Sequence, residues 1–485
     1  MESQEIVTIS KAEYNAMQHT ITALKFELSE LKRLIFGAKS EKHHCQIDNQ
    51  PTLFELPKEE VIETQTEEIT YTRKKTKTKK QAFRLELPAH LPRKTEIINP
   101  EFLPENAVYI NSIVTEILEY EPANIFVRRI VRNKYKIAQT DEKTSIIIAD
   151  LPSLPIPKSN AGASMLAHIL ISKFVDHLPF YRQSQIFKRQ KLNIPESTMG
   201  GWFSASCRLL EPLYEVLKKK VLSTDYIMAD ETPIPVQTHE KQGATHKGYH
   251  WVYCDPVKKL VLIDYQKSRA REGPNELLKK YKGYLQTDGY TAYNNLSNQL
   301  HITQLACMAH ARRKFEHAKD NDRSRSDWAL RMIGKLYVIE DQAQEKSLSP
   351  EAIKDLRQKE SKPILMEIET WLNENLNQTL PQSPIGKAIA YTLTLWPRLK
   401  RYIEDGRFHI DNNLIENSIR PIALGRKNYL FAGSHKAAQQ AAIIYSLLAT
   451  CKLNDIEPYQ WLMKTLSVIP ETKLSQLPNL LPIGI

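Results

Sequence analysis

No run of about 18 apolar residues occurs anywhere in the 485-residue chain, which excludes a helix that spans a bilayer. The N-terminal MESQEIVTIS has neither a basic start with an apolar core nor a small-residue cleavage site, so no secretory signal is read and a cytoplasmic protein is expected. Cysteine is scarce: Cys45, Cys207, Cys254, Cys307 and Cys451 are scattered, odd in number and nowhere arranged as CxxC. That excludes a disulfide framework and fits free thiols in a reducing compartment. What is present is an ordinary globular composition, 41% hydrophobic and 25% charged, on a chain too long for a single core. Lys and Arg outnumber Asp and Glu by 67 to 56, and the net charge of +11 favours polyanionic partners.

Apolar residues at Tyr14, Met17, Ile21, Leu24, Leu28, Leu31 and Ile35 alternate steps of three and four, the seam of a coiled coil, so residues 1–45 are expected to pair helix to helix. An amphipathic helix on the chain's own body shows the same spacing. Residues 46–82 turn acidic (Glu59, Glu60, Glu63, Glu67, Glu68) and then basic (Arg73, Lys74, Lys75, Lys77, Lys79, Lys80), the pattern of a charged flexible linker. Short alternating runs over 83–150 predict a small β-rich module. From 151 to 222, GASMLAHILISKFVDHL and PFYRQSQIFKRQ are followed by the break KLNIP and then ESTMGGWFSASCRLLEPLYEVLKKKV. Two helices about a tight break suggest a helix-turn-helix-like region, with Ser197, Thr198 and Trp202 near the start of a reading helix. Arg182, Lys188, Arg189 and Lys191 would meet phosphates, although an ordinary helical hairpin looks alike.

The next segment carries the chemistry. DYIMADETPIPVQ, GYHWVYCDP and KLVLIDYQ read as three antiparallel strands, GYLQTDGY as a fourth and HITQLACMA as a fifth, an α/β core of RNase H-like type with flanking helices. In such a sheet the first and fourth strands are neighbours, so Asp230 and Asp288 are expected to converge at one edge. Cutting a phosphodiester requires a deprotonated attacking oxygen and a neutralised leaving oxygen. Two divalent cations achieve both, and hard Mg2+ demands carboxylate oxygens. Two aspartates and a third acid on a helix can supply them.

CMAHARRKF at 307–315 and IDNNLIENSIRPIALGRKNYLFAGS at 410–434 resemble signature blocks of the insertion sequence 66 transposase family. The resemblance extends to ADETP, LQTDGY, AHILISKFVDHLPFYRQ, FGAKSEK and YSLLATCKLNDIEPYQWL, nearly the whole chain. It implies a DDE-type transposase, at work on the bacterial nucleoid, with Asp230, Asp288 and Glu416 as catalytic and metal-binding residues for two Mg2+ or Mn2+ ions. It also implies terminal inverted repeats and target DNA as partners, and small accessory proteins of the same element. DNNLIENSIRP reads as a capped helix that puts Asn412, Glu416 and Arg420 on one face and stops at Pro421, with Arg420, Arg426 and Lys427 beside DNA phosphates. Cys307 and His310 form a CxxH with no second pair for zinc; the resemblance to related DDE transposases, which carry a similar motif after the second Asp, implies that they and Asn412 support the acidic site, while Arg312, Arg313 and Lys314 would track a DNA backbone or form a solvated basic face.

The sequence departs from the family in two places. Many relatives carry a cysteine-rich zinc module ahead of the core. Here Leu103 to Ala107 and Lys136 to Thr140 hold residues such as Pro104, Glu105, Ile137 and Gln139, and a zinc-free β module is expected. Asn417 stands where relatives often have Arg. The remaining boundaries are a first part of the catalytic core at 223–317, a helical insertion at 318–400, the second part with the Glu416 helix at 401–450, and a helical tail at 451–485. A metal-dependent nuclease without strand transfer, or an inactive dimeric DNA-binding regulator, remain the alternatives.

Overall fold

The computed structural model describes residues 153–483 except 158, 239–243 and 294–300, preceded by Ile125, Val127 and one strand pair. The coiled-coil, linker and most of the β-module readings therefore lie outside the described residues. Contacts divide the chain into two units, one of residues 41–151 and a larger one that includes 152–485. In the smaller unit β1 (Lys134–Thr140) pairs antiparallel with β2 (Lys143–Ile148), Tyr135 opposite Ile147, with a register shift between Ala138 and Thr140.

The larger unit opens with α1 (Ala163–Phe174), α2 (Phe180–Arg189) and the long α3 (Glu196–Leu222). Ile169, Phe187, Ile194 and Met199 form a small core of their own among these helices, with Leu192 and Trp202 packed against it. Trp202 therefore serves packing at the start of α3, whereas Ser197 is exposed. A five-stranded sheet follows in the order β5 (Leu260–Gln266), β4 (Thr245–Asp255), β3 (Tyr226–Gln237), β6 (Gly283–Thr287), β7 (Ile302–Ala306). β3, β4 and β5 are antiparallel; β6 and β7 run parallel to β3. The short α4 (Glu272–Leu277) makes the crossover.

Two prolines inside central β3 have a geometric reason. β6 pairs only with Tyr226, Ile227 and Met228, so β3 outruns it. Pro233 and Pro235 lie beyond that point, where a missing N–H breaks no ladder. The freed flank is taken by other chain: Ala432 N–H donates to the Pro235 carbonyl and Gln237 N–H to the Ala432 carbonyl, both 2.8 Å.

After β7 come the helices α5 (Met308–Ala318), α6 (Arg323–Glu345), α7 (Pro350–Leu356), α8 (Lys362–Leu376) and α9 (Pro384–Leu399). Ser349 and Ser383 cap α7 and α9, each followed by proline at the first helical turn, and Asp322 caps α6. Then come α10 (Asn413–Tyr429), α11 (His435–Leu453) and α12 (Pro458–Val468), followed by short 3-10 turns over Ile469–Glu471 and Leu474–Leu480. Among the described residues no helix is long and apolar enough to cross a membrane.

Edge strand β5 is sealed by a helix rather than by another strand. Ile263 N–H donates to Ser446 Oγ (2.7 Å) and Val261 N–H to Thr450 Oγ1 (3.1 Å), both hydroxyls fully buried on α11. Replacing Ser446 by Ala or Thr450 by Val strands a buried backbone donor, and each change is expected to lower stability by about 1–3 kcal/mol in urea unfolding. Equal stability of the double variant and the parent would refute this account of the edge.

Candidate active site

Asp230 sits in β3 with hydrophobic neighbours on the strand's N-terminal half, and Asp288 follows the last residue of β6. Because β3 and β6 are adjacent and parallel, with Met228 opposite Gln286, the two aspartates leave the sheet side by side. The turn after Asp288 is tight. Tyr290 N–H donates to Asp288 Oδ1 (2.8 Å), the Tyr391 hydroxyl donates to the Asp288 carbonyl (3.0 Å), and Gly289 has φ of +89°. A β-carbon on Gly289 would lie 2.8 Å from Leu395 Cδ1. Gly289→Ala therefore combines strained backbone with a clash. It is expected to cost about 1–3 kcal/mol of stability, read by thermal unfolding, and to displace Asp288.

Glu416 enters from the first turn of α10. Its helix is tied to α5 by Cys307, whose Sγ accepts the Asn412 N–H (3.2 Å), while Met308 N–H donates to the Ile410 carbonyl (3.0 Å). Burial lifts the Cys307 thiol to about 12, so it stays protonated and acts as an acceptor in this clasp. Three elements distant in sequence thus meet. Burial, the charges of Glu231 and Asp288, and then that of Glu416 push the Asp230 carboxyl well above the usual carboxylate range, opposed by a hydrogen bond from the Glu231 N–H to its Oδ1 (2.7 Å). The Asp230 carboxylate lies in the field of the other two acids.

A fourth carboxylate belongs to this neighbourhood and escaped the sequence reading. The Glu231 side chain is 2% exposed; its Oε1 accepts from Arg269 Nε (2.7 Å), and the Arg269 guanidinium lies 3.9 Å over the Tyr290 ring. Burial raises its pKa while Arg269 opposes the rise. Two consecutive acids in ADETP were the available signal. Alternation along the strand turns the second toward the opposite face from Asp230.

Two expectations about α10 are corrected. The helix does not stop at Pro421 but continues to Tyr429. A mid-helix proline costs about 3 kcal/mol; burial of Ile415, Ser418, Ile422 and Gly425 and anchoring of the last turn offset it. At Gly425 a β-carbon would meet the Tyr445 hydroxyl at 2.7 Å. Nor does the Asn412 side chain cap the helix: its amide is buried without a hydrogen-bond partner among the described residues, and Asp411 Oδ1 instead accepts the Asn413 N–H (3.0 Å).

The basic candidates separate by environment. Arg426 Nη1 donates to Thr232 Oγ1 (2.7 Å) and the Pro233 carbonyl, fixing the end of α10 to β3. Together with Lys247, Thr245, Pro233 and Pro235 it lines an open groove of about 360 Å³. Arg420 and Lys427 are exposed on α10, Lys188, Arg189 and Lys191 at the end of α2. Arg182 donates to Asn428 Oδ1 (3.0 Å), joining α2 to the end of α10. Arg312 and Arg313 are half-buried on α5, and the exposed Lys314 lies 5.1 Å over the Tyr391 ring.

The donors around Asp230 are carboxylate oxygens, the set a hard divalent cation takes, and their mutual repulsion is what such a cation relieves. Among the described residues no three His, Cys, Asp or Glu side chains form a ready-made metal group. The acids share a field but not a finished coordination shell.

The sequence patterns of known families agree with this architecture. Residues 158–440 match the transposase IS66 family, 446–483 the IS66 C-terminal element, and 23–95 the pattern described as transposase C of IS166 homeodomain. Similar proteins include three of Sinorhizobium fredii, each called an uncharacterized protein. With y4jD the identity is 30% over 96% of this chain and 95% of that protein. With y4qI it is 31% over 96% and 89%, and with y4hP 29% over 95% and 88%. The sheet, the helices around it and the match across most of the chain lead to one conclusion: the chain belongs to the IS66 family of transposases.

Proposed function

We propose that the protein is a DDE transposase with an RNase H-like core that cleaves DNA at the ends of its insertion sequence and joins the freed 3′-hydroxyl to target DNA. Asp230, Asp288 and Glu416 would hold two Mg2+ or Mn2+ ions, with no zinc needed. The observation that carries this reading is the shared field of the three acids, brought from β3, the end of β6 and α10 in a chain of this family. Bound cations would supply charge neutralisation at the attacking and leaving oxygens.

The chain's own residues do the rest. Tyr290 N–H and the Tyr391 hydroxyl hold the Asp288 turn. Exposed Arg420 and Lys427 continue α10 away from Glu416, where phosphates of a bound duplex would run. Arg182, Lys188, Arg189, Lys191, Ser197 and Thr198 are assigned to the terminal inverted repeats, and Arg312, Arg313 and Lys314 to backbone contacts. Dimerisation through residues 1–45 and partnership with accessory proteins of the element complete the reading.

Incubation of the purified protein with end-bearing DNA and Mg2+ or Mn2+ tests it. Joined products are expected. Cut products alone would indicate a nuclease, and retardation without cutting a regulator; either result overturns the strand-transfer reading.

A further inference from the structure

A buried polar network fastens together the three segments that carry the acids. Tyr226 lies on β3 four residues before Asp230, and Gln286 on β6 two residues before Asp288, so each shares a strand face with its aspartate. The Tyr226 hydroxyl donates to Gln286 Oε1. Gln286 Nε2 in turn donates to the carbonyls of His409 (2.9 Å) and Asp411 (3.2 Å), in the segment that leads into the Glu416 helix. The circuit closes where His409 N–H donates back to the Tyr226 hydroxyl (3.1 Å). The Phe408 ring packs on both strands, 4.9 Å from the Tyr226 ring and 4.6 Å from that of Tyr284.

We infer that Tyr226 and Gln286 are positioning residues, setting the separation of Asp230, Asp288 and Glu416 by tying β3, β6 and the 409–411 segment to one another. This inference rests on the three-acid reading above. Its chemistry is specific. Tyr226 and Gln286 are 1% and 0% exposed, so no water substitutes for a lost partner. Both amide protons of Gln286 have acceptors, and the Tyr226 oxygen both donates and accepts. A folded core needs such a network only in part, since β3 and β6 are already joined by their backbone ladder. Among the described residues the 409–411 segment has no strand partner; the Met308 N–H to the Ile410 carbonyl and the Tyr337 hydroxyl to Asp411 Oδ2 hold it on the α5 and α6 side, and the network is what ties it to β3 and β6. Carboxylates that ligate metal tolerate displacements of only about 0.5 Å, and loss of groups that orient ligands typically costs 10–100-fold in metal affinity.

The test uses the full-length protein and Mn2+ itself, with binding followed by the electron paramagnetic resonance of free Mn2+ and folding by circular dichroism and melting temperature. The variants are Tyr226→Phe, Gln286→Met and Asp230→Asn. Asp230→Asn is expected to abolish binding. Folded Tyr226→Phe and Gln286→Met are expected to bind Mn2+ about 10–100-fold more weakly than the parent, with DNA affinity unchanged. If these two melt earlier yet keep the parent's Mn2+ affinity, the network serves only the core and the inference is overturned, while the three-acid reading stands. Should Asp230→Asn itself bind Mn2+ like the parent, the three-acid reading falls. Tyr226→Phe, which removes one oxygen, covers the case in which Gln286→Met does not fold.

Discussion

Asp230→Asn is expected to abolish metal-dependent DNA cleavage and at the same time make the metal-free protein more stable. The first half follows from the proposed role: electrostatic stabilisation of several kcal/mol by bound cations corresponds to a loss of about 10³-fold or more in rate when a ligand is removed. The second follows from the acid's surroundings. Burial and the charges of Glu231, Asp288 and Glu416 raise its pKa, so its ionised form is disfavoured in the folded state at neutral pH relative to the unfolded chain. A neutral amide of the same shape removes that penalty. Single-turnover cleavage and thermal unfolding without divalent ions read the two effects. An inactive variant that also melts earlier would contradict the stability half, and an active one would end the assignment of Asp230.

Arg357→Met is expected to be the most destabilising single change away from the acids. Arg357 is 3% exposed and forms a two-pronged pair with Glu340 through Nε (2.9 Å) and Nη2 (2.5 Å). Its remaining protons go to the carbonyls of Tyr402 (3.0 Å), Asp405 (2.9 Å) and Phe408 (2.9 Å). Removing the cation leaves a largely buried carboxylate and three carbonyls without their donor, a situation that costs about 3–5 kcal/mol. The pairing of Arg357→Met with Glu340→Leu should recover part of the loss, because no orphan charge then remains. Urea unfolding of the two single variants and the double variant measures this. A double variant no better than Arg357→Met alone would show that the carbonyl contacts, not the ion pair, dominate. The same change should weaken cleavage, because the turn from Tyr402 to Phe408 leads directly into the 409–411 segment.

How much of this was legible in the sequence differs by element. Strand alternation in DYIMADETPIPVQ, GYHWVYCDP and KLVLIDYQ gave the antiparallel trio, and short apolar runs before Asp288 and Cys307 gave the fourth and fifth strands, whose parallel pairing only the structure shows. Asp230, Asp288 and Glu416 were named from strand ends and from the family resemblance; the structure adds that the charges of Asp288 and Glu416 act on the buried Asp230 carboxyl. The end of α10 was misread because Pro421 is a strong local signal for a helix stop. Its cost is outweighed by tertiary contacts of Ile422, Gly425 and Arg426 that no local pattern carries. The buried pair Arg357 and Glu340, 17 residues apart, lies in a stretch that reads only as helical, and no local spacing marks the two as partners. Tyr226 and Gln286 were invisible for another reason: their partners lie up to 183 residues away, and nothing in a strand's alternation tells a buried tyrosine that packs from one that also donates.

The sealing of β5 by α11 has a consequence for biosynthesis. The N–H groups of Ile263 and Val261 leave the ribosome 183 and 189 residues before the hydroxyls that receive them. At about 5–20 residues per second, that interval lasts on the order of 10–40 s. Throughout it the nascent sheet presents an open, apolar margin, able to pair with any extended chain it meets. Truncated products that end before Ser446 are therefore expected to aggregate, and the growing polypeptide is a natural client for chaperones that shield such margins until the last helices have been made.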